Sequence, residues 1–177
     1  MDYGIHGDKY MSELFVNKIQ SHTDANNHVE VASGHVLYAP GHVIQVVQSV
    51  TDTEVLVNTA ATWTSLMTAS ITPKSSSSKI MIMCSAASLQ RNNDTIGYKV
   101  RRGSTDVVVQ AFFCNETSYW DGNSLCINYL DSPATASAIT YTWLGYNHSA
   151  GQPLYWNYDN STLDSTNASI TLMEIAA

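Results

Sequence analysis

The sequence predicts an all-β domain, a sandwich or barrel built around one core, on three observations. The first is a series of strand-like runs from residue 42 to residue 175, punctuated by clusters of Gly, Pro, Asn, Asp and Ser. The second is composition: charged residues make up only 13%, against about 25% in an average soluble chain. Ser, Thr and Asn carry the polarity instead, and these fit turns and exposed strand faces better than helix interiors. The third is length, since 177 residues suffice for one core with a short appendage and fall short of two comfortable domains.

Taken in order, the runs fall at 42–50, 54–58, 63–72, 79–89, 96–102, 106–113, 124–130, 138–146, 154–158 and 168–175. Turn chemistry separates them: Pro73 with Ser75 to Ser78, then Arg91 to Asp94, Gly103-Ser104, Asp131-Ser132-Pro133 and Gly151-Gln152-Pro153. The serine run reads as a hairpin tip, because strands resume at once on both sides. Period two places Ile80, Ile82 and Cys84 on one face of their strand, and Val107, Val109 and Ala111 on one face of another. Met81, Met83 and Val108 between them are also apolar. Such a strand is either central in a thick core or packed against a neighbouring subunit, and central burial is the favoured reading. Ahead of Pro40-Gly41 stand only short pieces, at 14–19, 28–31 and 35–38, which bury too little to stand alone and need partner chains or a larger body. Ser12-Glu13-Leu14 is equally compatible with a helical turn or two.

Several function classes are disfavoured. A net charge of −7 repels a phosphate backbone, and the basic residues cluster nowhere beyond Lys99, Arg101 and Arg102, so no nucleic acid is expected as partner. No apolar run approaches membrane-spanning length, and the start Met1-Asp2-Tyr3-Gly4 lacks the basic-then-apolar pattern of a signal sequence, so neither membrane insertion nor secretion is expected. Cys84, Cys114 and Cys126 sit in apolar runs without CxxC spacing, which favours buried thiols and a reducing site of synthesis.

A resemblance enters through the order of several short motifs. Val16-Asn17-Lys18-Ile19-Gln20-Ser21, Val29-Glu30-Val31-Ala32-Ser33-Gly34-His35 and Ala39-Pro40-Gly41-His42-Val43-Ile44 resemble the stem-to-head junction of bacteriophage fibre proteins. Ile71-Thr72-Pro73, Ser76-Ser77-Ser78-Lys79-Ile80, Arg102-Gly103-Ser104-Thr105, Tyr129-Leu130-Asp131-Ser132-Pro133 and the closing Ile170-Thr171-Leu172-Met173-Glu174-Ile175 are similar to the head domains of tailed-phage fibre and virion surface proteins. The resemblance spans about residues 16 to 177. It implies a homotrimer with a jelly-roll head of the tumour-necrosis-factor and complement type, divided into a virion-attachment segment (1–20), a short β-stem (21–41) and the head (42–177). It also implies location in the virion, at the tail or on the capsid surface, with another virion protein holding residues 1–20. Host attachment is the leading expectation, capsid decoration the second, and a non-viral jelly-roll adhesin the third.

Chemistry is sparse. His28, His35 and His42 recur at intervals of seven, but without a His-x-His pair no common ligand face follows, and neither metal nor cofactor is expected. No nucleophile elbow, HExxH helix, P-loop or dinucleotide turn occurs, and Glu116 with Asp121 reads as surface carboxylates rather than a glycosidase pair, so no enzymatic activity is expected. Five Asn-x-Ser/Thr sequons are those that chance supplies in a chain rich in these residues. The stronger lead is aromatic. Tyr119, Trp120, Asp121 and Asn123 in one turn-rich segment, and Tyr155, Trp156 and Tyr158 in another, mix flat rings with polar groups, the chemistry that stacks on sugar faces and bonds their hydroxyls. They are the candidate contacts for a host surface glycan, against the alternative that the rings fill the core or a trimer interface. Trp63 and Trp143, inside strands, are expected in the interior.

Overall fold

The computed structural model describes residues 39–91, 94–114, 120–150, 153–158 and 166–177, with backbone register alone at 88–91, 94, 114 and 120–123. The attachment segment and nearly all of the stem expected at 1–41 lie outside the described residues. Ten strands follow one another: β1 (Val43–Thr51), β2 (Val55–Val57), β3 (Thr62–Ile71), β4 (Lys79–Arg91), β5 (Asp94–Arg102), β6 (Thr105–Cys114), β7 (Trp120–Asp131), β8 (Ile139–Asn147), β9 (Leu154–Trp156) and β10 (Ala168–Ile175). All pair antiparallel. In the first sheet β4 takes β7 along one edge, while β10 and β9 share the other; β1 lies outside β10 and β2 outside β9. The second sheet runs β3-β8-β5-β6. The order 1-10-4-7 over 3-8-5-6, in which the chain switches sheet at most turns, is a jelly-roll sandwich.

Period two builds the core. Ala168, Ile170 and Leu172 of β10, Ile80, Ile82, Cys84 and Ala86 of β4, and Leu125 and Ile127 of β7 point inward and are buried. Facing them from the second sheet are Ala69, Ile71, Ile96, Tyr98, Val100, Tyr141 and Trp143. Trp143 and Trp156 join the sheets edge to face, ring centroids 5.4 Å apart at 86°, both fully buried. Such a contact adds roughly 0.5–1.5 kcal/mol to what area burial supplies.

Two sequence expectations are corrected here. The apolar residues between the inward ones on β4 do not lie in a thick core: Met83 is 41% exposed on the outward face of the first sheet. Cys126 is also exposed, because Leu125 and Ile127 on either side of it face in. Cys84 is buried as expected, and burial pushes its thiol up to about 12.

The serine run is likewise not a hairpin tip. β3 and β4 belong to different sheets, so residues 72–78 form a corner between them. Glu174, fully buried near the end of β10, latches that corner: it accepts from the Lys74 backbone N–H (2.7 Å) and from Gln45 Nε2 (2.6 Å). A second buried carboxylate, Asp131, accepts from Arg102 Nε and from the Tyr141 hydroxyl, each at 2.7 Å. Burial, then the Asp131 carboxylate, push the Tyr141 phenol well above its ordinary value. This basal end is closed by Gly41, whose N–H donates to Ala176 O (2.7 Å) from a left-handed conformation (φ 81°) that suits glycine.

The latch gives a pH signature. Burial raises the Glu174 pKa, but the hydrogen bonds from Gln45 and the corner backbone outweigh it and hold the folded value below 4.5. A depressed folded pKa means that the unfolded chain takes up the proton first. The latch therefore contributes fully above pH 4.5 and is lost as pH falls through the folded value. Glu174→Gln should lower stability by about 1–3 kcal/mol at neutral pH and flatten the acid limb of a plot of unfolding free energy against pH.

Candidate functional site

The end of the sandwich opposite the basal corner is organised by the far half of β4. Its residues Ser88–Gln90 pair with β9 on one side, and Ser88–Arg91 pair with β7 on the other. The two aromatic segments singled out in the sequence thus flank one strand. Trp120 stands opposite Arg91, Asp121 opposite Gln90 and Asn123 opposite Ser88. Across the strand, Tyr155 stands opposite Leu89 and Trp156 opposite Ser88. Tyr119 lies outside the described residues. Residues 120–123 are strand rather than the turn-rich segment expected. β4 is 13 residues long, and its unpaired edge imposes a ladder on Asp121-Gly122-Asn123 in spite of their weak β-propensity.

Trp156 is no surface contact. It is fully buried against Trp143, so neither face of its indole is open to a sugar. Tyr155 and Tyr158 are half-buried and meet edge to face, centroids 5.7 Å apart at 75°. Tyr155 also pairs across the ladder with Leu56, which is exposed.

Sequence reasoning missed the residue that sets this pair. Asn157 is fully buried at φ 55°, in the left-handed region where Asn is among the few tolerated residues. Its N–H donates to Ala87 O (2.7 Å), and Nδ2 points at the carbonyls of Thr51, Thr53 and Thr166, each at 3.3 Å. Thr166 Oγ1 returns bonds to the carbonyls of Asn157 (3.0 Å) and Tyr158 (3.1 Å). The kink turns the chain out of β9 and sets Tyr158 beside Tyr155. An Asn between two aromatics, Trp156 and Tyr158, was the available signal.

Trp63 also departs from expectation. A bulge between Ser65 and Met67 shifts the parity of β3, so that Leu66, Ala69 and Ile71 face in while Trp63 faces out. Its indole lies across the outward face of the second sheet, 5.0 Å from the Tyr146 ring and 4.1 Å from Lys99 Nζ. Gly97 makes room for it: a Cβ there would sit 3.1 Å from the indole.

Two further surfaces are apolar and uncovered. The outward face of the first sheet carries Val46 (56% exposed), Val50 (57%), Met83 and Leu130. The edge strands β6 and β7 carry Phe112, Phe113 (64%) and Tyr129.

Comparison with known proteins adds no family. No family model matches the chain, and no curated protein matches it. A chain from the structure of infectious bursal disease virus Gx strain is similar at 12% identity and a TM-score of 0.40, over 85% of this chain and 41% of that one. The present chain thus spans less than half of that protein, and a likeness at this level carries no argument about function. The fold assignment rests on the strand order.

The buried and half-buried aromatics should separate by stability. Trp156→Ala should cost about 3–5 kcal/mol in denaturant unfolding. Tyr155→Ser or Tyr158→Ser should cost under about half of that, since each ring leaves a solvated gap.

Proposed function

We propose that this protein is a self-associating structural component of a virion surface, a homotrimeric fibre or spike whose jelly-roll head contacts the host. The observation that carries the reading is the pair of uncovered apolar surfaces, the outward face of the first sheet and the β6/β7 edge. Side chains such as Val50 at 57% and Phe113 at 64% exposure are costly to leave in water as a group. The two surfaces differ, so each copy offers one to its neighbour and the other to the next. That is a heterologous contact, which closes into a ring when the rotation between copies divides a full turn. The resemblance to phage fibre heads supplies the number three and the virion setting. Residues 1–20 then attach to another virion protein and 21–41 form the stem.

Gly41 enters at the basal end, so the opposite end, with the Tyr155–Tyr158 pair and, across β4, the Trp120–Asn123 ladder, is the natural tip for host contact. Paired tyrosine rings with their hydroxyls suit the faces and hydroxyls of a host glycan. Tyr155 and Tyr158 replace Trp156 as the aromatic contacts in this reading. The work is binding, without catalysis.

Light scattering on the full chain at micromolar concentration should give the mass of three chains. Val50→Asp combined with Phe113→Asp, which charges both surfaces and leaves the core untouched, should give a folded monomer. A wild-type chain that stays monomeric would remove the proposal. For the tip, Tyr155→Ser with Tyr158→Ser should reduce particle adsorption to host cells by about tenfold or more while the trimer persists.

A further inference from the structure

The outward face of the second sheet holds a feature that neither self-association nor the tip uses. Lys99 lies on a sheet face turned to solvent, yet it is only 4% exposed. The Trp63 indole covers it, with Lys99 Nζ 4.1 Å from the ring centroid. Gly97 lets the indole lie close to the sheet, and the Tyr146 ring packs against it, centroids 5.0 Å apart at 40°. Trp63 is half-buried, so part of the indole remains open to solvent.

Beside this platform the charges do not balance. Lys99 Nζ and Arg101 Nε both donate to Asp106, at 2.9 and 2.7 Å. Two cations share one carboxylate, leaving one positive charge in excess on a chain whose net charge is −7. The paired donors, Arg101 before Lys99, hold the Asp106 carboxyl below its ordinary range, so it stays ionised and both cations stay in place. Among the described residues Arg101 commits only its Nε, and its two terminal amino groups are left to donate. Arg101 follows Lys99 by two residues on the same strand face, a step of roughly 7 Å. The shared Asp106 carboxylate holds the Arg101 guanidinium close to the Lys99–Trp63 contact.

We infer that Trp63, Lys99 and Arg101 form a binding site for an acidic saccharide on the side of the head, with the sugar ring on the exposed part of the Trp63 indole and its carboxylate on the Arg101 guanidinium. The flat indole supplies area and ring orientation, and every pyranose has a face of C–H groups to lay on it. The fork of donors on Arg101 matches a carboxylate in geometry as well as charge. Neutral sugars keep the stacking and lose the ionic contact. The site goes beyond the proposed tip and shares no residue with it.

The test is a panel of acidic saccharides, each beside a neutral counterpart, titrated into the full chain by calorimetry and by saturation-transfer NMR. Oligogalacturonate is paired with galacto-oligosaccharide, sialyllactose with lactose, and glucuronate oligomers with gluco-oligosaccharide. At least one acidic member should bind about tenfold tighter than its counterpart, and this preference should shrink as salt is raised. Arg101→Gln, at a position partly open to solvent, should erase the preference while keeping weak neutral binding. Trp63→Ala should remove both, and Tyr155→Ser with Tyr158→Ser should change neither. Two results overturn the site: no acidic member binding below about 10 mM, or binding that survives both Arg101→Gln and Trp63→Ala. Should Trp63→Ala fail to fold, Arg101→Gln alone decides, since equal preference for acidic sugars in that variant is incompatible with the assignment.

Discussion

The architecture depends on one long strand. β4 is hydrogen-bonded on both edges, yet no single partner covers its β10 side, where β10 takes Lys79–Ser85 and β9 takes Ser88–Gln90. Where the two partners meet, backbone groups would be orphaned within the fold, a cost that buried structure avoids. Asn157 resolves it, its side-chain amide directed at carbonyls from the end of β1 and the approach to β10 while its own N–H reaches Ala87 on β4. The same residue aims the Tyr155–Tyr158 pair. Sheet continuity and tip geometry are therefore one constraint, and a change at Asn157 acts on both.

Charge is rationed in a corresponding way. Glu174 and Asp131 are buried at the basal end, each taking more than one hydrogen bond and each fixing a crossing between the sheets. A buried carboxylate is tolerated only when its oxygens are answered, and these are. Lys99 is the third buried charge among the described residues. It is answered by Asp106 and roofed by an indole on the outward side, which sets it apart from the two that serve the core. The basal carboxylates hold the fold together, whereas the Lys99 group leaves Arg101 with donors to spare.

Much of this was legible in the sequence. All ten strand runs correspond to strands, because alternation and turn residues report local backbone preference directly. What failed was whatever depends on which sheet a strand joins. Ser75 to Ser78 carry turn chemistry in a hairpin and in a crossover alike. Residues 120–123 look like a turn until the length of β4 is known. Trp63 was misplaced by a single extra residue, the bulge at Ser65/Met67, which reverses the parity that period two reads. Of the candidate site, the two aromatic segments were visible and their meeting across β4 was not. The burial of Trp156 was hidden too, since alternation in a three-residue strand does not say which face is in.

The apolar outward face of the first sheet has the widest consequence. On a single chain it leaves Val46, Val50, Met83 and Leu130 in water, and it explains why both faces of β4 read as apolar. In the proposed trimer, a second copy seated there would account for that pattern without any further ligand. Cys126, exposed on the same face of β7, is a built-in reporter, and buried Cys84, whose thiol burial pushes up to about 12, is an internal control. The most direct measurement is the rate at which a maleimide modifies Cys126 in the full chain, mapped by mass spectrometry against the Val50→Asp, Phe113→Asp variant. Slow labelling in the native assembly and fast labelling in the variant is the predicted result. Equal, fast labelling in both would contradict the account, because it would leave the face open to solvent in the intact protein.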